Sequence, residues 1–81
     1  MHISKYETVT TDKLHSGDVV YSHGGTFRLT MVRETLDERS GRIIYAWKTQ
    51  PVDVSECLIP ESWIRDWTIQ GNNLACWARL K

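Results

Sequence analysis

The sequence predicts a mainly β domain, either a small β-barrel or a strongly bent antiparallel sheet, with at most one short helical turn. Three observations point there. The closing run Trp67-Thr68-Ile69-Gln70-Gly71-Asn72-Asn73-Leu74-Ala75-Cys76-Trp77 reads as a tight hairpin. A type II′ turn at Gly71-Asn72 would set Ile69 against Leu74 and Trp67 against Cys76, and a type I′ turn at Asn72-Asn73 keeps the same parity. Either way the apolar residues share one face, because opposed strand residues point the same way. Turn signals also recur roughly every ten residues, as in small all-β folds. Finally, Phe27, Leu29 and Met31 alternate with Arg28, Thr30 and Val32, the period of a half-buried strand.

Each element follows in order. Residues 6–11, rich in threonine around Val9, suit an opening strand. Residues 11–18 read as a turn, with Gly17 at positive φ and Leu14 dropping into the core. Residues 18–22 are β-branched and aromatic, hence a strand. A turn centred on Gly24-Gly25 would then place Val20 opposite Leu29 and Ser22 opposite Phe27. Residues 34–42 are charged and end in Ser40-Gly41, which predicts a solvated hairpin loop with Leu36 folding back. Residues 43–47 are apolar on both parities, as in a central strand covered on two sides. Pro51 should end regular pairing. Residues 52–61 should be irregular, anchored by Cys57, Leu58 and Ile59. Pro60 to Ile64 suits one helical or 3-10 turn, with proline in the permitted first turn. The expected core is Leu14, Val20, Phe27, Leu29, Met31, Ile43, Tyr45, Trp67, Ile69 and Leu74.

A chain of 81 residues and 9.4 kDa, without repeats or linkers, has room for one domain over residues 1–81 and a small core. Ten basic and ten acidic residues give a formal net charge of zero. The global basic field that drives non-specific nucleic-acid binding is therefore missing, although Arg65, Arg79 and Lys81 cluster near the closing run. The start has no apolar signal-peptide region, and no apolar run reaches membrane-spanning length. Nothing points Cys57 and Cys76 to an oxidising compartment, so reduced thiols are the default. Four tryptophans, against about one in an average chain of this size, are the compositional outlier. Tryptophan thickens a small core and is enriched in binding hot spots.

Candidate chemistry is sparse. His2, His15, His23, Cys57 and Cys76 are metal-ligand types, but none falls in a Cys-x-x-Cys or His-x-x-x-His spacing. No metal and no cofactor is expected. Cys76 reads as a packed thiol. Cys57 lies near Glu56 and Glu61, whose negative charge disfavours the reactive thiolate. Asp37, Glu38, Glu56 and Glu61 offer carboxylates, yet Glu38 beside Arg39 in a polar loop should be an ordinary solvated charge. His23-Gly24-Gly25 precedes a strand, whereas glycine-rich phosphate cradles open helices. An enzyme is not expected.

The phrase Leu14-His15-Ser16-Gly17-Asp18-Val19-Val20 resembles the opening of many Src-homology-3-like barrels, which bears on fold and not function. The opening Tyr6-Glu7-Thr8-Val9, that turn, and the closing run from Trp67 to Trp77 together resemble a family of small uncharacterised bacteriophage and prophage proteins. The family has no assigned activity, so no site residue carries over. The resemblance implies a phage or prophage origin and action in the cytoplasm of a bacterial host cell.

The aromatic set is the strongest binding signal, since aromatics on small barrels stack on bases or grip peptides. Trp63, Arg65, Trp77 and Arg79 are the candidate binding residues. The expected function is a non-enzymatic phage accessory module that binds a host protein. The alternatives are a nucleic-acid-binding barrel using Trp77, Arg65 and Arg79, or a structural virion component that self-associates through an open sheet edge.

Overall fold

A computed structural model describes residues 5–81. Six strands, β1 (Tyr6–Thr10), β2 (Val19–Ser22), β3 (Gly25–Asp37), β4 (Arg42–Asp53), β5 (Thr68–Asn72) and β6 (Cys76–Leu80), form one sheet. A 3-10 turn at Thr11–Lys13 follows β1, and a short helix α1 (Glu61–Ile64) lies between β4 and β5. The sheet order is β1-β6-β2-β3-β4-β5, antiparallel throughout. The architecture is mainly β, as the sequence predicts, and the sheet is bent and open, with β1 and β5 at its two ends.

The closing run does not form the expected hairpin. β5 pairs with β4, placing Ile69 opposite Trp47, while β6 pairs with β1 and β2, placing Trp77 opposite Val9. A side-chain turn separates the two strands. The Asn72 Oδ1 accepts the N–H groups of Leu74 and Ala75 at 2.9 and 3.0 Å, an Asx turn that competes with a strand-continuing hairpin. The Ala75 carbonyl then accepts the N–H of Thr11 at 2.9 Å and its hydroxyl at 3.1 Å. Leu74, expected in the core, is left exposed at the turn, and so is Cys76, expected as a packed thiol.

The β2–β3 turn centres on His23-Gly24, with φ of 52° and 85°, so Val20 faces Phe27 and Ser22 faces Gly25. Two successive positive φ values match the right-handed strand twist. The two-residue offset from the expected pairing leaves side-chain parity intact, and Val20, Phe27 and Leu29 are all buried. Gly24 is required twice over. A Cβ there would lie 2.7 Å from the Glu56 carbonyl oxygen, because residues 54–58 fold across this turn and the Leu58 N–H bonds the His23 carbonyl at 2.8 Å. Cys57 is half-buried against Gly25.

A β-bulge between Leu29 and Met31 resets the faces of β3. One extra residue flips every side chain beyond it. Met31 therefore points outward at 61% exposure, and Val32 and Trp47 take the core side. Trp47, which the two-parity run at residues 43–47 concealed, is 4% exposed and belongs to the central cluster with Leu14, Val20, Leu29 and Ile69. Val9, Tyr45, Trp67 and Trp77 pack around that cluster half-buried. Pro51 does not end pairing: it sits opposite Phe27 beside a second register shift, and β4 continues to Asp53. An irregularity is where a sheet tolerates a residue without an N–H. Of the three expected anchors, Ile59 is buried, Cys57 half-buried and Leu58 exposed.

The predicted loop at residues 34–42 is mostly strand. β3 and β4 pair out to Asp37 and Arg42, and the last residues of this ribbon lie beyond the end of β5, which pairs with β4 only as far as Ile44. Ile43 and Leu36 lie exposed near its tip, so neither joins the core. The radius of gyration, 13.1 Å, exceeds the roughly 12 Å expected of a compact domain this size, as a projecting ribbon requires.

Candidate binding surface

The ribbon presents two chemically distinct faces, fixed by register. On the face continuous with the core, Val32 opposes Trp47, Glu34 opposes Tyr45, and Leu36 opposes Ile43. Exposure climbs along this stripe from Trp47 at 4% to Leu36 at 61%. Exposure rises where β3 runs past its neighbour β2, which pairs with it only as far as Arg28, and again where β4 runs past the end of β5 at Ile44. The result is a track from the core to the ribbon tip that is apolar at Val32, Tyr45, Leu36 and Ile43 and interrupted by the exposed Glu34. At its base a cleft of about 350 Å³ opens between the ribbon and residues 12–16, lined by Asp12, His15, Ser16, Val32, Glu34 and Tyr45. The buried indole N–H groups of Trp47 and Trp67 have no hydrogen-bond partner among the described residues.

On the outer face Arg28 opposes Gln50, Met31 opposes Lys48, and Arg33 opposes Ala46. β5 adds Thr68 beside Lys48 and Gln70 beside Ala46. Between Arg28 and Thr35 this face carries three cations and no carboxylate. Arg65 and Asp66 join Lys48, Thr68 and the half-buried Trp67 around a cleft of about 300 Å³. None of Arg28, Arg33, Lys48 and Arg65 forms an ion pair among the described residues.

The four residues singled out from sequence do not converge. Trp63, 62% exposed, sits on α1, and Arg65 directly follows that helix. Trp77 and Arg79 lie on β6, on the core side of the sheet. The Trp77 indole N–H donates to the Thr11 hydroxyl at 2.8 Å, so this ring is a core wall with a satisfied polar edge. Arg79 donates to Glu7 at 2.7 Å, to Asp18 at 3.4 Å and to the Lys13 carbonyl at 3.2 Å. The hydrogen bond to Glu7 raises the guanidinium pKa further above its ordinary value. Arg79 thus ties β1, β6 and the turn before β2 together, and its charge is neutralised there.

Among the described residues, no three His, Cys, Asp or Glu side chains gather as metal ligands, and no helix is long and apolar enough to cross a membrane. The residues that sequence reasoning missed are Val32, Leu36 and Ile43. Alternation marks them only once the bulge is known, and the charges between residues 33 and 42 masked the strand. No family model, curated protein or solved structure matches the chain.

Proposed function

We propose that the protein is a non-enzymatic binding module of phage or prophage origin that engages a host protein in the bacterial cytoplasm. The supporting observation is the set of exposed apolar side chains Val32, Leu36 and Ile43, which runs from the half-buried Tyr45 to the tip of the β3–β4 ribbon. Leaving such side chains in water wastes about 25 cal/mol per Å² of burial, and an exposed track of this kind marks an interaction surface. Tyr45 beside the cleft suits the way aromatics of Src-homology-3-like domains grip a peptide. The test is capture from bacterial lysate with immobilised protein, wild type against Leu36→Asp/Ile43→Asp. A stoichiometric host protein retained after nuclease treatment, and lost with the double variant, is the expected result. Retention indifferent to that variant removes the stripe from the function.

The outer face favours a second reading, a single-stranded nucleic-acid surface built from Arg28, Arg33, Lys48 and Arg65. It replaces the Trp77–Arg79 patch, whose cation is already paired. Binding through about three phosphates would give a log–log salt slope near −2. Contact through the apolar stripe would be nearly salt-independent.

A further inference from the structure

We infer that β3 is the seam of a homodimer, pairing antiparallel with β3 of a second copy about a two-fold axis at Thr35. On its outer side β3 is occupied only at its start. Val19 pairs with Arg28, the Leu29 N–H bonds the Asp18 carbonyl at 2.7 Å, the Gly17 N–H bonds the Leu29 carbonyl at 2.7 Å, and the Ser16 hydroxyl bonds the Thr30 carbonyl at 2.7 Å. From Met31 to Asp37 no described strand lies on that side. Seven residues of strand edge are open, and an open edge is a template for another strand.

The hydrogen-bonding phase of that edge follows from the turn. The Gly41 N–H donates to the Asp37 carbonyl at 2.8 Å, so the backbone of Asp37 faces β4. Backbone direction alternates along a strand, so Thr35, Arg33 and Met31 also face β4. Val32, Glu34 and Leu36 hold their N–H and C=O groups outward.

Charge selects the occupant and the register. A two-fold between antiparallel strands puts one residue opposite its own copy, and directly opposed like charges destabilise a sheet. Centring on Val32 would drive the partner into the place already held by β2. Centring on Arg33 opposes two guanidiniums, and centring on Glu34 opposes two carboxylates. Centring on Leu36 opposes Glu34 to Glu38. Centring on Thr35 opposes threonine to threonine, a favourable cross-strand pair, and sets Arg33 opposite Asp37 of the other copy twice. The same register aligns Glu34 with Leu36 of the other copy, both with outward backbones, which closes four main-chain hydrogen bonds. Charged residues on an edge normally discourage pairing. Here they reject neighbouring registers and complement one.

In this arrangement opposed residues share a face, so the apolar stripes of the two copies join side by side. The seam rests on backbone and on the Arg33–Asp37 pairs; Leu36 of the stripe lies within it, so the Arg33 and Asp37 variants, which leave the stripe untouched, are what separate it from the docking reading.

The test is sedimentation equilibrium of the full chain from about 1 µM to about 1 mM, with a self-association midpoint in the micromolar range expected for so short a seam. Arg33→Asp and Asp37→Arg should each weaken self-association by about tenfold, because each turns two attractions into two repulsions. Mixing the two variants in equal amounts should restore dimerisation, because each cross-copy contact then pairs opposite charges. Asp37 also accepts the Arg39 N–H and the Ser40 hydroxyl, so thermal melts of both variants check folding. Glu34→Pro provides an independent arm: its N–H faces outward, so proline blocks the seam and spares the β4 ladder. A wild type that stays monomeric to about 1 mM, a Glu34→Pro variant that still dimerises, or a mixture that fails to recover, would each overturn the inference.

Discussion

Trp47 shows how much one side chain carries in a core this small. It is the largest of the deeply buried residues and touches the cluster from the centre of β4. Trp47→Ala should cost about 3–5 kcal/mol, a large part of the total stability of a small domain. Trp47→Phe should cost far less, because the indole N–H it gives up has no partner among the described residues. Urea denaturation of the two variants reads the difference. Two glycines make a second contrast. Gly24 and Gly41 both have positive φ, 85° and 69°, but a Cβ on Gly24 meets the Glu56 carbonyl whereas one on Gly41 meets nothing within 4 Å. Gly41→Ala should cost about 1 kcal/mol from backbone strain alone. Gly24→Ala should cost at least about 1 kcal/mol more, because the 54–58 segment must move; thermal melts of the pair would show both shifts.

At the scale of elements, the bulge at Thr30 divides β3 into two strands with different work. Before it, Phe27 and Leu29 build the core; after it, Val32 and Leu36 leave the core for the ribbon. Stability should divide in the same place, since local opening is easiest where few buried contacts hold the backbone. Amide hydrogen exchange is the check. The Thr35 and Asp37 amides should exchange through low-energy opening, orders of magnitude faster than those of Leu29 and Val20. Equal protection along the whole of β3 would mean that the ribbon is covered in solution, as the dimer seam requires at high concentration and not in dilute monomer. The sequence carried the strand identity of this region badly. Its charges resemble those of a loop, and β-propensity is weak when side chains face water.

At the scale of the molecule, the two ends of the sheet approach each other at Gly71. A Cβ there would lie 3.0 Å from the Ala75 Cβ, 3.2 Å from the Thr11 hydroxyl and 3.4 Å from the Trp77 ring. Gly71 lets β5 lie against Thr11 and β6 without a ladder between β5 and β6. Gly71→Ala should therefore cost about 1–3 kcal/mol and loosen Trp77, seen as a lowered melting temperature with altered tryptophan fluorescence. The sequence by itself determined the β class, most turn positions, and five core residues: Leu14, Val20, Phe27, Leu29 and Ile69. These rest on local chemistry, namely period-two alternation, glycine where φ is positive, and proline at a helix start. Strand partnership was decided only in three dimensions. A strand's parity says which face it buries but not which neighbour it bonds, so β5 and β6 read as a hairpin and fold as strands with other partners. The binding surface was hidden for the same reason. A single inserted residue at Thr30 exchanges the faces of everything after it, and only the pairing with β4 reveals that the insertion is there.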